Sequence, residues 1–356
     1  MRVGILGAGG AAFGAAAQLS LGGHRPTLWS PSGRGTAELA AGAPLRATMA
    51  IETSFHPGVA HSAREAITGS DVVILAMPAN AHKMALEAVA EHLRDGQAVI
   101  ISSHASFGAL YLSKLLAQRR IRAPIIAWST TLTTGRKTSL AEVKVNSLRS
   151  RIDMATVPET ALDEGHALCT QLFGDRFVIR DGLLAIALSN LNPQNHLAIA
   201  LFNLTRMEHG EVWGQAQNVT PAVGRVMEQL DGERLAIADA FGLTVRTIRE
   251  HYAFSYQLPV AGIAEMNAEL HRRGQGGFGP ATPDSRYVLE DAPFGLWPTI
   301  LLGRLVGQPA TLHEAGLTML SGAYGRNLAE ENDLLPELRF AQMSREALQE
   351  RARSGF

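Results

Sequence analysis

Three groups of residues in this sequence carry atoms fit for chemistry. The first is Gly7-Ala8-Gly9-Gly10-Ala11-Ala12, spaced G-x-G-x-x-A. Gly7 permits a tight turn, Gly9 leaves the backbone bare for a pyrophosphate, and Ala12 lets a helix and a strand pack closely. The second is Asn190-Leu191-Asn192-Pro193-Gln194-Asn195-His196, a polar cluster ahead of the apolar run Leu197 to Phe202. Pro193 breaks or restarts a helix there and leaves backbone groups unpaired. A histidine at such a break can face a cleft, and the ordinary pKa of this residue type suits proton transfer to a carbonyl or imine. The alternative is a hydrogen-bonded core or capping histidine. The third group is Gly279 to Leu296. Arg286 offers a planar fork of donors matched to a carboxylate. Asp291 could orient His196 and stabilise its imidazolium. The alternative is a surface ion pair of Arg286 with Asp291 or Glu290, worth little. Spacing alone leaves both choices open.

These groups need elements to position them. Arg2 to Leu6, with Val3, Ile5 and Leu6 apolar, reads as a buried strand, and Phe13 to Leu21, rich in Ala and Leu, reads as a helix. Strand, glycine turn and helix together are the setting in which this motif binds a dinucleotide. The free N–H groups and dipole at the helix start hold the phosphates. A glycine-rich turn without a ligand is the alternative. Pro26 to Trp29 reads as the second strand, followed by Ser30-Pro31-Ser32-Gly33-Arg34. An acid at the end of this strand selects NAD by bonding the ribose hydroxyls. None stands here, whereas hydroxyls and a guanidinium would accept a 2′-phosphate, so NADP is expected ahead of NAD. Arg34 could instead be a solvated loop charge or stack on the adenine of either cofactor.

Asp71 to Met77 is a near-continuous apolar run, as in a strand buried on both faces, and it ends in Pro78-Ala79-Asn80-Ala81-His82. The carboxyl end of such a strand faces the cofactor crevice, which puts Pro78 and Ala79 near the ribose or nicotinamide. His82 reads as a structural or capping residue. Gln97 to Ile101 and Ile125 to Trp128 are further buried strands, each ending in hydroxyl residues that read as turns or caps. Residues 135–145 look like a hairpin and Phe177 to Arg180 like a last strand. The alternation implies an α/β fold: a Rossmann-type doubly wound domain over residues 1–180 with a largely parallel sheet.

From Asp181 the strand signals stop, so residues 181–356 are expected to form an all-helical second domain. Thr220-Pro221 reads as an N-cap with Pro at the first helical position. Thr244 starts a further helix, Thr311 to Glu314 has capping-box spacing, and Ser344 caps a last amphipathic helix. The substrate is expected in the cleft between the two domains. The chain has 356 residues, 46% of them hydrophobic and 18% charged, with a net charge of −1 and no basic block, which argues against a nucleic-acid partner. Its single cysteine, Cys169, excludes a disulfide framework and reads as a buried apolar residue. With no signal-peptide layout and no bilayer-spanning run, a cytoplasmic protein with no membrane partner is expected.

The chain resembles the octopine/nopaline dehydrogenases, also called opine dehydrogenases. The resemblance covers essentially its whole length. It rests on the glycine motif, on Met77-Pro-Ala-Asn-Ala-His82, on Asn192 to His196 with Asn203 and Glu208 beyond, and above all on Arg286-Tyr-Val-Leu-Glu-Asp291-Ala-Pro293-Phe294-Gly295. The glycine motif alone is shared with glycerol-3-phosphate dehydrogenases and ketopantoate reductases. The resemblance implies condensation of an amino acid with a 2-keto acid, often pyruvate, and reduction of the imine by NAD(P)H. It implies that His196 is the acid/base, Asp291 its paired carboxylate, Arg286 the clamp on a substrate carboxylate and Asn192 a polar neighbour. Leu197 departs from the family pattern, which often has Pro directly after the histidine, and this puts the local helix start in question. Two other functions fit the same features: a reductase of a simple 2-keto acid, and a non-enzymatic NADP-binding sensor. A homodimer is plausible, with no face indicated.

Overall fold

The computed structural model describes residues 1–356. The strands are β1 (Arg2–Leu6), β2 (Arg25–Trp29), β3 (Leu45–Met49), β4 (Thr53–Phe55), β5 (Gly58–Val59), β6 (Val72–Leu75), β7 (Ala98–Ile101), β8 (Ile125–Trp128), β9 (Thr133–Ser139), β10 (Glu142–Leu148), β11 (Ile152–Val157) and β12 (Phe177–Ile179). Eight of them form one sheet in the order β12-β11-β8-β7-β6-β1-β2-β5. From β5 to β8 all neighbours are parallel. β6, β7 and β8 are buried along their whole length, as their continuous apolar sequences require. The strand order reverses between β1 and β6. In such a sheet the ligand crevice lies beyond the carboxyl ends of the strands at that point.

Two features depart from the largely parallel sheet. β11 runs antiparallel to β8, and β12 pairs with it at the edge. A second sheet, β4-β3-β10-β9, incorporates the expected hairpin. β3 shows why it escapes a reading of the sequence: Leu45 and Ala47 are buried while Arg46, Thr48 and Met49 are exposed, a pattern too short to declare itself. This sheet packs on the first helix, Gly10–Leu21. That helix therefore has apolar surface all round, with Ala12, Phe13, Ala15, Ala16, Ala17 and Leu19 all buried. At Gly14 the Thr133 side chain of β9 takes the space that a Cβ would need.

The chain separates into two units, Met1–Ala187 with Glu346–Phe356, and Leu188–Arg345. The last helix, Arg345–Ser354, returns to the first unit, where Arg353 pairs with Asp181 at 3.3 Å and the Phe356 N–H donates to Ser113 Oγ at 2.9 Å. An amphipathic helix reveals in sequence that it has a buried face, not what covers it, so the sequence groups this helix with its neighbours at 181–356.

The second unit is built of helices, chief among them Asn192–Glu208, Pro221–Ala240, Ile248–Tyr256, Ile263–Arg272, Trp297–Leu305 and Thr311–Tyr324. Thr220 caps Pro221–Ala240 as expected, accepting from the Val223 N–H. The capping box forms at Thr247 and Glu250, so that helix begins after Thr247 and not at Thr244. Thr311 does not cap its helix. Glu233 does so from a neighbouring helix, accepting the N–H groups of Leu312 and His313 at 2.7 and 3.2 Å and the His313 ring at 2.7 Å. A carboxylate brought by tertiary packing displaces the local cap. Arg234 is buried but paired: it donates to Asp231 at 2.6 Å and to the carbonyls of Leu188 and Arg246, while Asp231 accepts from the Ile248 N–H at 2.8 Å. A buried charge is tolerated on those terms.

Candidate active site

In the first unit the glycine motif occupies the carboxyl end of β1. Gly7 has φ +139°, and a Cβ there would lie 2.2 Å from the Ala76 carbonyl oxygen just past β6. The turn therefore requires glycine. Gly9 is the N-cap of the first helix, with no side chain capping it and no acidic residue in its first turn. A Cβ on Gly9 would meet nothing within 4 Å. Bare backbone, open space and an uncompensated helix N-terminus are what a pyrophosphate needs, so the residues fit a nicotinamide dinucleotide. Ala8, Gly10 and Ala11 are half-buried around this loop, and Ala12 is fully buried behind it.

Ser30 stands half-buried at the end of β2. Arg34 is exposed at the start of a short turn, and its side chain makes no hydrogen bond or ion pair within the protein. Beyond β6, Pro78 is exposed and Ala79 is buried. His82 is fully buried with Nε2 3.0 Å from the Met77 carbonyl, and burial pushes its pKa down to about 4, so it is a neutral structural residue. Burial likewise pushes the Cys169 thiol up to about 12, which removes it as a nucleophile.

One residue at this loop has no sequence signal. Lys137 of β9 donates to the Ala8 carbonyl at 3.1 Å and to the Gly35 carbonyl at 2.6 Å. Burial lowers its pKa, opposed by the charge of Glu38. β9 lies directly on the motif: a Cβ on Gly10 would sit 3.1 Å from the Gly135 carbonyl oxygen. Nothing in a linear pattern joins residues 129 positions apart.

In the second unit the chain breaks between Ser189 and Asn192, and Pro193 falls in the first turn of the restarted helix. The Asn192 N–H is held by Asn190 Oδ1 at 3.1 Å. His196 is four residues on, so Asn192 and His196 share a face. His196 Nδ1 lies 2.6 Å from Asp291 Oδ2, with side chains 9% and 12% exposed. The Arg286 ion pairs with Asp291 or Glu290 do not form; Asp291 is spent on the histidine. The two segments are locked together because Gly295, four residues past Asp291, abuts Pro193: a Cβ there would lie 2.2 Å from Pro193 Cγ.

Tyr287 completes the arrangement. Its ring stacks on the His196 imidazole at 3.5 Å between centroids and 11° between planes, and its hydroxyl donates to Gln215 Oε1 at 2.6 Å. Burial raises the pKa of this phenol. Tyr287 lies inside the family block, yet block membership does not reveal a stack. Arg286, next in sequence, is exposed and its guanidinium has no hydrogen-bond or ion-pair partner within the protein; Asn192 is half-buried, and its side-chain amide is also unpaired. The arrangement can move a proton. Asp291 fixes the ring and holds the Nδ1 proton, leaving Nε2, which has no protein partner, to exchange one with a ligand.

Residues 179–324 match the family described as NAD/NADP octopine/nopaline dehydrogenase, alpha-helical domain. Residues 2–105 match the family described as NADP oxidoreductase, coenzyme F420-dependent. An opine dehydrogenase of Arthrobacter sp. (strain 1C) is 31% identical over 340 residues, covering 94% of this chain and 93% of the relative. Among solved structures, an octopine dehydrogenase in complex with NADH and agmatine superposes with a TM-score of 0.82 at 16% identity, over 98% of each chain. A yersinopine dehydrogenase with NADP+ bound gives 0.73 at 18% identity, over 99% of each chain. No helix of this protein is long and apolar enough to cross a membrane.

Proposed function

Because this chain belongs to the octopine/nopaline (opine) dehydrogenase family and is an NAD(P)-dependent oxidoreductase, we propose that it joins an amino acid to a 2-keto acid and reduces the resulting imine, with NADPH favoured over NADH. The observation that carries this reading is the 2.6 Å His196–Asp291 pair, beside a block that also contains the partnerless Arg286. The amine adds to the keto carbon to give a carbinolamine. That intermediate must lose its hydroxyl as water. His196, held by Asp291, gives the proton that the departing hydroxyl takes, and the nitrogen lone pair closes the C=N bond of an iminium ion. Arg286 binds a substrate carboxylate through its guanidinium fork. Asn192, on the face of the helix that carries His196, adds a neutral hydrogen-bonding group to the same pocket. Tyr287 restrains the imidazole plane. Gly7 to Ala11 with Ser30, Arg34, Pro78 and Ala79 would hold a nicotinamide cofactor, which would supply the hydride that turns the iminium into a secondary amine.

Support for the substrate class comes from relatives: octopine dehydrogenase has been solved with agmatine, with L-arginine and with pyruvate. Support for NADPH comes from the absence of an acid after β2 and from the NADP+ held by yersinopine dehydrogenase. The test is a matrix of amino donors against 2-keto acids, followed as loss of nicotinamide absorbance with each cofactor. Oxidation that requires both reactants is the expected result. Oxidation with a keto acid alone would instead identify a simple keto-acid reductase.

A further inference from the structure

We propose that Lys137 recognises the 2′-phosphate of the cofactor and so selects NADP over NAD. The inference rests on the NADP reading above and assigns it to a residue of the second sheet. In a doubly wound sheet the adenosine ribose lies over the carboxyl ends of the first two strands. Those ends are in contact here. A Cβ on Gly35 would lie 2.8 Å from the Ala8 Cβ and 2.9 Å from Ser30 Oγ, so the loop after β2 touches the loop after β1. The Lys137 ammonium sits at that junction, donating to the carbonyls of Ala8 and Gly35.

An ammonium has three N–H donors. Two are spent on neutral carbonyls, and no carboxylate lies within ion-pair distance of Lys137. One donor and the ammonium charge remain for an anion, the Glu38 carboxylate acting on that charge only from beyond ion-pair distance. The group is fixed in place, since it also lies 4.3 Å from the centre of the Phe13 ring. Arg34, exposed on the second of the two loops and without a partner, supplies a second cation. A lysine that only tied the loops together would support both cofactors equally. A lysine that contacts the phosphate discriminates between them.

The test needs no turnover. Wild type, Lys137→Met and Lys137→Arg are titrated with ADP-ribose and with 2′-phospho-ADP-ribose by calorimetry. Wild type is expected to bind the 2′-phosphorylated ligand at least about tenfold more tightly. Lys137→Met should reduce that ratio to within about twofold and weaken ADP-ribose by less than about threefold, whereas Lys137→Arg should keep most of the preference. Equal losses for the two ligands would overturn the role of Lys137 and leave the NADP reading standing. A wild-type preference for ADP-ribose would overturn both. Should Lys137→Met fail to fold, acetylation of Lys137 in the wild-type protein decides. 2′-Phospho-ADP-ribose should slow it at least about fivefold more than ADP-ribose does, and equal protection overturns the proposal.

Discussion

Gly7 and Gly9 stand two residues apart and fail in different ways when substituted. A methyl group at Gly7 meets the Ala76 carbonyl at 2.2 Å on a backbone with φ +139°, so Gly7→Ala should cost more than about 2 kcal/mol of unfolding free energy, measured by urea titration. A methyl group at Gly9 meets open space. Gly9→Ala should keep stability to within about 1 kcal/mol yet weaken nicotinamide dinucleotide binding at least about tenfold. Equal stability losses in the two variants would contradict this division. In the second unit, His196→Asn and Asp291→Asn should each lower kcat roughly 10²–10⁴-fold while leaving the cofactor dissociation constant unchanged, as read by stopped-flow and fluorescence titration. Arg286→Ala should act mainly on the KM of the keto acid, by about tenfold or more. His196, Asp291 and Arg286 could be read from the sequence as chemistry-bearing types, but their pairing could not. Spacing allowed Arg286 and Asp291 to pair with each other, and only the packing of Gly295 on Pro193 brings Asp291 to the histidine instead. Tyr287 and Lys137 were not legible, because a ring stack and a cross-sheet donor leave no period in the chain.

The elements tell a similar story one level up. The strands buried on both faces announce themselves by continuous apolar runs, and the proline breaks announce helix starts. β3, β4 and β5 do not, being short and covered on one side. Caps are legible only when they are local. Burial works to raise the pKa of Glu233, but hydrogen bonds from His313 and Leu312 outweigh it and hold the carboxylate below its ordinary value. Glu233→Ala should therefore destabilise the protein by about 1–3 kcal/mol, because the His313 ring stays buried without that partner. A second expectation concerns pH. Burial holds His82 near pKa 4; burial, with the charge of His82, holds His104 near 3, against an ordinary 6.5. Above pH 6.5 both folded and unfolded chains carry these rings neutral. Below it the unfolded chain gains protons that the folded chain resists, so stability is lost as the pH falls from 6.5 towards 4. By pH 5.0 the loss due to His82 is on the order of 2 kcal/mol. Urea titrations at pH 7.5 and 5.0 check it, and a variant with both histidines replaced by glutamine should show a flatter dependence.

On the scale of the whole molecule, the first unit carries the loop that fits a dinucleotide and the second carries the His196–Asp291 pair. The sequence separates an α/β half from a helical half because its periodicities change near Asp181. It does not show that the final helix rejoins the first unit, since that depends on which surface was left uncovered. Reaction class follows from the second unit more than from the first: a dinucleotide loop serves many reductions, whereas a held histidine with a free guanidinium nearby suits condensation of carboxylate-bearing reactants. The most direct test is therefore the substrate matrix with purified enzyme. Loss of nicotinamide absorbance should appear only when a 2-keto acid and an amino donor are supplied together, faster with NADPH than with NADH. A comparable rate with the keto acid alone would contradict the account.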